Sequence, residues 1–361
     1  MKARFSLVLG SIFLGLVLLE CFSRLVFAFN FSNRDGLYEM DSEVGWWPKP
    51  NLNYKKVLGS SKGRQYSALY TSDENGIRYS PGEWKVSGNI GKDDSSQNNN
   101  PDPKNVLVIG DSFTGDFHSS DSRAWFSYID RHADLDVWAF GIGGSGATQQ
   151  MLAFNRLQPI LKPDILLIQF CSNDPENDFF PNSYISGVYN QEWFRPYLVD
   201  GEVVKRSDLQ ASIYRQLYAS SDLFKLIDRS VLKIRSQFFP ETIKSLSASQ
   251  LEEAVENWKN IYSMYVSTAL NSGVKEVWSV TCSGYPGDAA NETQDMWREY
   301  SEELGVKVFL SFSDSISSAN EDRIDTKSAD GAHWNDVGNK IAGQALANEI
   351  NAYLNIKALK D

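Results

Sequence analysis

The sequence predicts an α/β domain with a doubly wound parallel sheet, and two observations support this prediction. From Lys104 onward, short apolar runs alternate with longer stretches whose apolar residues recur at helical spacing. The first run, Asn105 to Ile109, is too short for a helix and is closed by Gly110. Continuous apolar runs of this length are typical of strands in parallel sheets, which are covered on both faces. Ser112 follows this strand, at the carboxyl edge of the sheet, where open α/β proteins bind their ligands.

Further strands and two well-marked helices are predicted after this point. Ser249 and Glu252 form a capping box, which predicts a helix that runs from there to a stop at Gly273. A last helix is predicted from about Asn335, because apolar residues recur at helical spacing beyond it. The further strands are expected at Leu135 to Phe140, Asp164 to Phe170, Lys275 to Thr281 and Val306 to Phe312.

The rest of the chain is predicted to form separate segments ahead of this domain. The expected organisation is an N-terminal helix over 1–29, short strands and loops over 30–86, a flexible linker over 87–103 and the α/β domain over 104–361. The linker prediction rests on a composition of Asn, Asp, Ser, Gly and Pro with little apolar content.

A long insertion, about 175–249, is predicted between the third and fourth strands, and it is far longer than an ordinary loop. Its aromatic side chains could stack on a sugar or grip an acyl chain, or they could form a small core of their own. They are Phe179, Phe180, Tyr184, Tyr189, Trp193, Phe194 and Tyr197.

The first residues predict a membrane anchor. Lys2 and Arg4 precede a run without charge from Phe5 to Leu19, and apolar residues continue past Glu20 and Arg24. This length could span a bilayer, and basic residues ahead of the span favour an amino terminus inside the cell. Glu20 and Arg24 could pair on one face of a helix. We therefore expect a single-pass membrane protein whose α/β domain is on the periplasmic or extracellular side.

A cleaved signal peptide is the alternative, because Val26 and Ala28 make a passable cleavage pattern. The two charges between the apolar run and that site count against cleavage. Either interpretation places the α/β domain outside the cytoplasm.

Composition and cysteine spacing exclude several classes of function. A formal net charge of -11 argues against a nucleic-acid partner, which needs clustered Lys and Arg for its phosphates. The cysteines, Cys21, Cys171 and Cys282, show neither metal-ligand spacing nor a disulfide framework. Cys171 follows a predicted strand, where a cysteine is more often a small buried hydrophobe than a nucleophile.

A serine at the position of Ser112 needs a base before it can act as a nucleophile, and the chain has only three histidines. His132 is expected at a solvated helix end, and His118 lies so near Ser112 in the sequence that position alone does not exclude it. His333 follows the last predicted strand, with Asp330 three residues ahead of it. Asp330 could accept the Nδ1 proton of His333 and leave Nε2 to face Ser112.

Two further strand ends offer donors for an oxyanion. The second strand runs into Gly141 to Gly146, and the third ends in Cys171 to Asp174. Glycine lets a backbone N–H approach a reacting carbonyl closely, and the Asn173 side chain is a neutral donor.

These motifs resemble the four sequence blocks of the SGNH (GDSL-type) hydrolases over Lys104 to about Tyr353. Two departures from the family pattern are Cys171, where Gly is common, and Ala139, where Asn is common. The matching residues, in order, are Gly110, Asp111 and Ser112, then Gly144, then Asn173, and finally Asp330 with His333.

The resemblance implies a flavodoxin-like three-layer fold and ester hydrolysis or acyl transfer. By position, Ser112 would be the nucleophile, His333 the base and Asp330 the residue that orients it. The N–H groups of Ser112 and Gly144 and the Asn173 side chain would form the oxyanion hole. The N-terminal segment also looks like that of membrane-anchored, exported members of the group.

The expected function is a serine esterase or acyltransferase for O-acyl esters, acetyl esters first, of cell-envelope or extracellular carbohydrate. No cofactor and no metal are expected, because the histidines and acids lack ligand spacing.

Two rivals remain. Gly141 to Gly146 spells GxGxxG, the fingerprint of a dinucleotide site, although it does not follow the first strand. A non-catalytic polysaccharide-binding or assembly module could also use this fold.

Overall fold

The computed structural model describes residues 2–29, 37–82, 103–115, 118–133, 135–179, 194–199, 201–205, 209–238, 246–282 and 288–359. The predicted linker over 87–103 lies almost wholly outside these residues. The helices are α1 (Lys2–Phe29), α2 (Ser112–Gly115), α3 (Trp125–His132), α4 (Ala147–Leu161), α5 (Asp174–Asp178), α6 (Leu209–Ser220), α7 (Asp222–Phe238), α8 (Ala248–Asn271), α9 (Asp288–Glu303), α10 (Ser311–Glu321) and α11 (Asp336–Ala358). The strands are β1 (Tyr38–Asp41), β2 (Gly45–Pro48), β3 (Asn53–Gly59), β4 (Gln65–Thr71), β5 (Lys104–Gly110), β6 (Leu135–Gly141), β7 (Ile165–Phe170), β8 (Tyr197–Val199), β9 (Glu202–Val204), β10 (Glu276–Thr281) and β11 (Lys307–Val308).

The chain divides into two compact units. Unit 1 contains residues 1–46 and 180–247, and unit 2 contains residues 47–179 and 248–361. Unit 2 holds a parallel five-stranded sheet in the order β11-β10-β7-β5-β6. Numbered along the chain within the sheet, this is the 2-1-3-4-5 order of flavodoxin-like folds. The predicted α/β class with a central parallel sheet is confirmed.

Helices cover both faces of the sheet because most residues of its strands are apolar, on both faces. On one face, alternate strand residues such as Val106 and Val108 are fully buried against α3, α10 and α11. On the other face, the Phe170 ring of β7 packs on Trp258 of α8 and Trp297 of α9. These two apolar layers fix the sheet, and with it the positions of the strand ends.

The strand and helix predictions agree with the structure except near the fifth strand. That strand was expected over Val306 to Phe312, but β11 contains only Lys307–Val308 and Phe312 lies in α10. Phe312 still reaches the core, from a helix that begins at Ser311. Helix α8 ends just before Gly273, which has the positive φ of 100° expected of a helix stop.

The expectation that the cysteines form no disulfide is wrong. Cys171 and Cys282 are joined, with their Cα atoms 5.3 Å apart. They directly follow Phe170 and Thr281, which are paired across β7 and β10. Adjacent parallel strands that end in register bring the next residues within disulfide distance. Cys171 is buried, as expected, and its sulfur is bonded to Cys282.

Unit 1 holds α1 and α7, which contact each other through Glu20. The Glu20 carboxylate accepts hydrogen bonds from the Ser221 hydroxyl and from the first backbone N–H groups of α7, at Asp222 and Leu223. It also pairs with Arg24 at 3.0 Å, as the sequence suggested. Burial acts to raise the pKa of Glu20, but these hydrogen bonds outweigh it and lower the pKa to about 2.

Within the described part of the chain, no helix has both the length and the apolar character needed to cross a membrane. The transmembrane anchor predicted for residues 1–29 is therefore not supported.

The aromatic residues of the predicted insertion are described only in part. Phe180, Tyr184, Tyr189 and Trp193 lie outside the described residues. Phe194 and Tyr197, in unit 1, are buried, and the Phe194 ring contacts Tyr214 and Tyr218 of α6. The Phe194 ring thus belongs to a small aromatic cluster with these two residues of α6.

Candidate active site

Ser112 lies where β5 ends and the short helix α2 begins. The buried Asp111 shapes this turn, because its carboxylate accepts the Phe113 N–H at 3.0 Å and its carbonyl accepts the Gly115 N–H at 2.7 Å. The Gln169 amide of β7 donates to the same carboxylate at 3.1 Å. Ser112 itself is half-buried, so its hydroxyl is held by rigid neighbours and can still be reached.

Two glycines let the backbone come this close together. A Cβ on Gly110 would lie 2.4 Å from the Gln169 side chain, and one on Gly141 would lie 2.2 Å from the Gly115 nitrogen. No side chain fits at either distance. The glycine in the Gly-Asp-Ser motif is thus required by close packing against Gln169 of β7 and Thr114 of α2.

The loop before α11 carries Asp330 and His333. Gly331 between them has a φ of +74°, a left-handed conformation that favours glycine. Asn335 ends the loop by accepting the N–H groups of Val337 and Gly338, which caps α11. This N-cap fixes the start of α11, so His333 and Trp334, the two residues before Asn335, keep a defined direction.

The loop brings Asp330 and His333 to Ser112. The Nε2 of His333 lies 2.8 Å from the Ser112 Oγ, and the Nδ1 lies 2.7 Å from the Asp330 Oδ2. Both distances are those of hydrogen bonds. Because ionised Asp330 can only accept, Nδ1 carries the proton and Nε2 is left to accept from the serine. The structure thus joins the three residues in a hydrogen-bonded relay.

Asp330 is held as an anion by its neighbours. Its Oδ1 accepts hydrogen bonds from the Ser328 hydroxyl at 2.6 Å and from the N–H groups of Ala332 and His333. Burial acts to raise the pKa of Asp330, but the hydrogen bonds from His333 and Ser328 outweigh it and hold the pKa well below its usual range. A carboxylate that stays ionised can stabilise an imidazolium.

Of the two other histidines, His118 lies beside His333 and His132 lies at the end of α3. His118 stacks on His333 beside the relay, and both rings line a small pocket next to Ser112 together with Phe113. His132 is the last residue of α3, as expected, and is half-buried. Burial, followed by the charge of Arg131, lowers the pKa of His132.

The two other predicted donors lie at neighbouring strand ends. Gly144 follows β6 with a φ of +72°, and Asn173 follows β7 at the start of α5, where it is exposed. Parallel strands place these residues at the same sheet edge as Ser112.

The GxGxxG stretch is used in a different way from a dinucleotide site. The Asp178 carboxylate accepts the N–H groups of Ala147 and Thr148, at 2.6 and 3.0 Å, and so occupies the amino terminus of α4. A Cβ on Gly146 would meet this carboxylate at 2.6 Å. A pyrophosphate needs that position, so the geometry argues against the dinucleotide interpretation.

His118, Asp330 and His333 also have the chemistry of metal ligands, with ligand atoms within 4.8 Å of one another. An imidazole binds a metal through a lone pair in its ring plane. The two rings are stacked with their planes only 11° apart, so their lone pairs cannot converge on one ion unless a ring turns. The observed arrangement suits proton transfer better than metal binding.

The β3–β4 hairpin supports two loops of the site through contacts that were not predicted from the sequence. The Ala329 N–H donates to the Gly59 carbonyl at 2.9 Å, which ties the Asp330 loop to the hairpin. The Tyr66 hydroxyl donates to the His118 carbonyl at 2.9 Å, which ties the loop after α2 to the same hairpin. These contacts join distant positions and leave no local pattern that could have revealed them.

Arg78 was missed for the same reason. It is buried and pairs with Asp121 at 2.8 Å, and its other nitrogens donate to the carbonyls of Thr114 and Ser119. One side chain therefore holds both ends of the loop that connects Ser112 to His118. A buried arginine far from any motif resembles an ordinary surface arginine in the sequence.

The chain is similar to several solved structures, all at low identity. One is a protein of the G-D-S-L family from Desulfitobacterium hafniense, at 12% identity and a TM-score of 0.40, covering 68% of this chain and 98% of that chain. Another is Axe2, an acetylxylan esterase from Geobacillus stearothermophilus, at 13% identity and a TM-score of 0.37, covering 68% and 94%. A third is LAE5, an α/β hydrolase enzyme from the Lake Arreo metagenome, at 12% identity and a TM-score of 0.38, covering 69% and 96%.

A comparison with curated protein sequences finds no significant match. Residues 106–197, which include Ser112, Gly144 and Asn173, match the sequence model of the GDSL-like lipase/acylhydrolase family. This match supports an ester-acting hydrolase of the GDSL type.

Proposed function

We propose that this protein is a serine esterase that acts on O-acyl esters through Ser112, His333 and Asp330. The observation that carries the proposal is the hydrogen-bonded relay, in which His333 reaches Ser112 at 2.8 Å and Asp330 at 2.7 Å. The family match over residues 106–197 supports the same chemistry independently.

In the proposed reaction, His333 takes the Ser112 proton as the Ser112 Oγ attacks the ester carbonyl. The bond to the alcohol then breaks, the alcohol leaves with the proton from His333, and an acyl-serine remains. Water, activated by the same imidazole, hydrolyses this intermediate. The N–H groups of Ser112 and Gly144 and the Asn173 amide are the proposed donors to the oxyanion.

The proposed substrates are acyl esters of carbohydrate, with acetyl as the first acyl group to test. The pocket beside Ser112 is small and is lined by Phe113, His118 and His333, which favours a short acyl group. We also propose that the enzyme works outside the cytoplasm, because disulfides such as Cys171–Cys282 persist in oxidising compartments.

The test is labelling of the full chain with a fluorescent serine phosphonate, together with acetate release from p-nitrophenyl acetate and acetylated xylan. We expect labelling and release in the wild type and neither in Ser112→Ala. Transfer of acetyl to an added polysaccharide would identify an acyltransferase that uses the same acyl-enzyme. Binding of polysaccharide without labelling or release would instead favour the non-catalytic module.

A further inference from the structure

His118 lies flat against the proposed catalytic histidine. The ring centroids of His118 and His333 are 4.5 Å apart and the ring planes differ by 11°. The Nε2 of His118 lies 3.4 Å from the Asp330 Oδ2, the same oxygen that bonds Nδ1 of His333. The His118 side chain is only 14% exposed. Two stacked imidazoles therefore lie close to one carboxylate oxygen, and His333 is the one that is hydrogen-bonded to it.

We propose that His118 is a positioning residue that holds the imidazole plane of His333 while the proton moves between Ser112 and the substrate. This inference rests on the proposed function. It assigns the base to His333 and a supporting role to His118, whose nearness to Ser112 in the sequence had left its role open.

The relay needs such support because hydrogen bonds tolerate a wide range of angles. The bonds from His333 to Ser112 and to Asp330 weaken steeply only when the angle falls below about 120°. These two hydrogen bonds therefore allow the His333 ring to tilt away from the orientation in which Nε2 faces the Ser112 hydroxyl. A flat contact on the ring face opposes this rocking. Phe113 also touches the ring, with centroids 5.0 Å apart, but it is tilted by 41°.

The stacking also suits the charge that develops during the reaction. When His333 takes the Ser112 proton it becomes a cation, and the face of an aromatic ring attracts a nearby cation. Asp330 supplies the negative charge in the ring plane at 2.7 Å, so the two neighbours stabilise the imidazolium from different directions.

The position of His118 is itself fixed by buried groups. The Tyr66 hydroxyl donates to the His118 carbonyl at 2.9 Å, and the Arg78 guanidinium donates to the next carbonyl, that of Ser119, at 2.8 Å. Arg78 is 1% exposed and is held in turn by Asp121. The imidazole is thus presented to His333 by a supported loop.

The test compares three substitutions of His118 in the full chain, with p-nitrophenyl acetate as substrate. His118→Phe keeps a flat ring, His118→Gln keeps a polar group without a ring, and His118→Ala removes both. We expect kcat to fall about tenfold in His118→Ala and His118→Gln, with KM within about twofold of the wild type. His118→Phe should recover kcat to within about threefold of the wild type.

His132→Phe is the matched control, because His132 also stacks on an aromatic ring, that of Tyr128, at 6.2 Å and 16°. It should leave kcat and KM unchanged. The inference is overturned if His118→Ala keeps the wild-type kcat, if only KM changes, or if His118→Gln recovers activity and His118→Phe does not.

A second measurement does not depend on esterase activity. With only three histidines, the imidazole spectrum of ¹⁵N-histidine-labelled protein is simple to assign. We expect the Nδ1 proton of His333 to exchange with water faster in His118→Ala and to regain its protection in His118→Phe. Equal exchange in all variants would overturn the positioning role. A wild type that hydrolyses no ester but shows this pattern would overturn the proposed function alone.

Discussion

The Nε2 of His333 lies 2.8 Å from the Oγ of Ser112, although the two residues are 221 positions apart in the sequence. Ser112 is held by the end of β5, and His333 by the capped start of α11. This hydrogen bond thus links the end of a strand to the start of the last helix, and each of its two partners can be substituted separately.

Removal of either partner should abolish ester hydrolysis. We expect Ser112→Ala and His333→Ala each to lower kcat/KM by at least about 10³-fold, because no other group would supply the nucleophile or the base. Stopped-time assays with p-nitrophenyl acetate measure the loss. Ser318→Ala, at an exposed position of α10, is the control and should retain full activity. Retained activity in Ser112→Ala would assign the chemistry to another residue.

Asp330→Asn should lower kcat by about 10³- to 10⁴-fold while the protein stays folded. An amide cannot hold the Nδ1 proton as a carboxylate does, and it can donate to Nδ1 and so favour the wrong tautomer. Circular dichroism together with kcat measures the two effects separately. Activity near the wild-type value would mean that the 2.7 Å contact orients the ring without any need for charge.

The lowered pKa of Asp330 also predicts a pH dependence of stability. The folded pKa lies below the unfolded value of about 3.9, so ionised Asp330 stabilises the fold above that pH. The contribution is lost as the pH falls below about 3.9 toward the folded pKa. Urea unfolding of the wild type and Asp330→Asn should therefore show a difference in stability at about pH 5 that shrinks as the pH falls below about 4. A difference that grows as the pH falls below about 4 would contradict this linkage.

The residues that could be predicted from the sequence are those that topology alone brings together. Once the apolar runs were taken as parallel strands, Ser112 and Asn173 had to lie at one edge, and the Asp330 to His333 spacing matched the chemistry that Ser112 requires. The local support could not be predicted. The contact from Tyr66 to the His118 carbonyl and the pairing of Arg78 with Asp121 join residues with no shared pattern.

Two predictions were wrong: that the cysteines form no disulfide, and that the fifth strand extends to Phe312. The first depends on strand register, and the second on an apolar pattern that fits both a strand and a helix. Cys171 and Cys282 are adjacent only because Phe170 pairs with Thr281, and the sequence does not reveal that register. The apolar residues near Phe312 fit either a strand or the buried face of a helix. Packing of Phe312 against Trp125 and Trp334 decides for the helix.

Loss of the disulfide should lower the stability of the sheet edge. The bond closes a separation of 111 residues, for which chain entropy predicts at most roughly 5 kcal/mol. We expect the urea midpoint of a Cys171→Ala, Cys282→Ala double variant to fall, and a reductant to shift the wild type toward it. Cys21→Ser, at an exposed cysteine, is the control and should leave the midpoint unchanged. Three reactive thiols in the unreduced, denatured wild type would contradict the bond.

Substitution of two glycines with the same backbone conformation can distinguish the cost of backbone strain in stability from its effect on the positions of Asp330 and His333. Gly331, between Asp330 and His333, and Gly305, before β11, both have a φ of +74° and open space where a Cβ would stand. Alanine at either position should therefore cost a similar amount of stability, about 1 to 2 kcal/mol, through the left-handed backbone alone.

Only Gly331→Ala should also lower activity, because relief of this strain would shift Asp330 relative to His333. A displacement of about 1 Å can cost about 10²-fold in rate, so we expect a loss of kcat well beyond that of Gly305→Ala. Urea midpoints and kcat, measured on both variants, test the two effects together. Equal losses of kcat would show that activity follows global stability, and that the turn at Gly331 does not set the geometry of the relay.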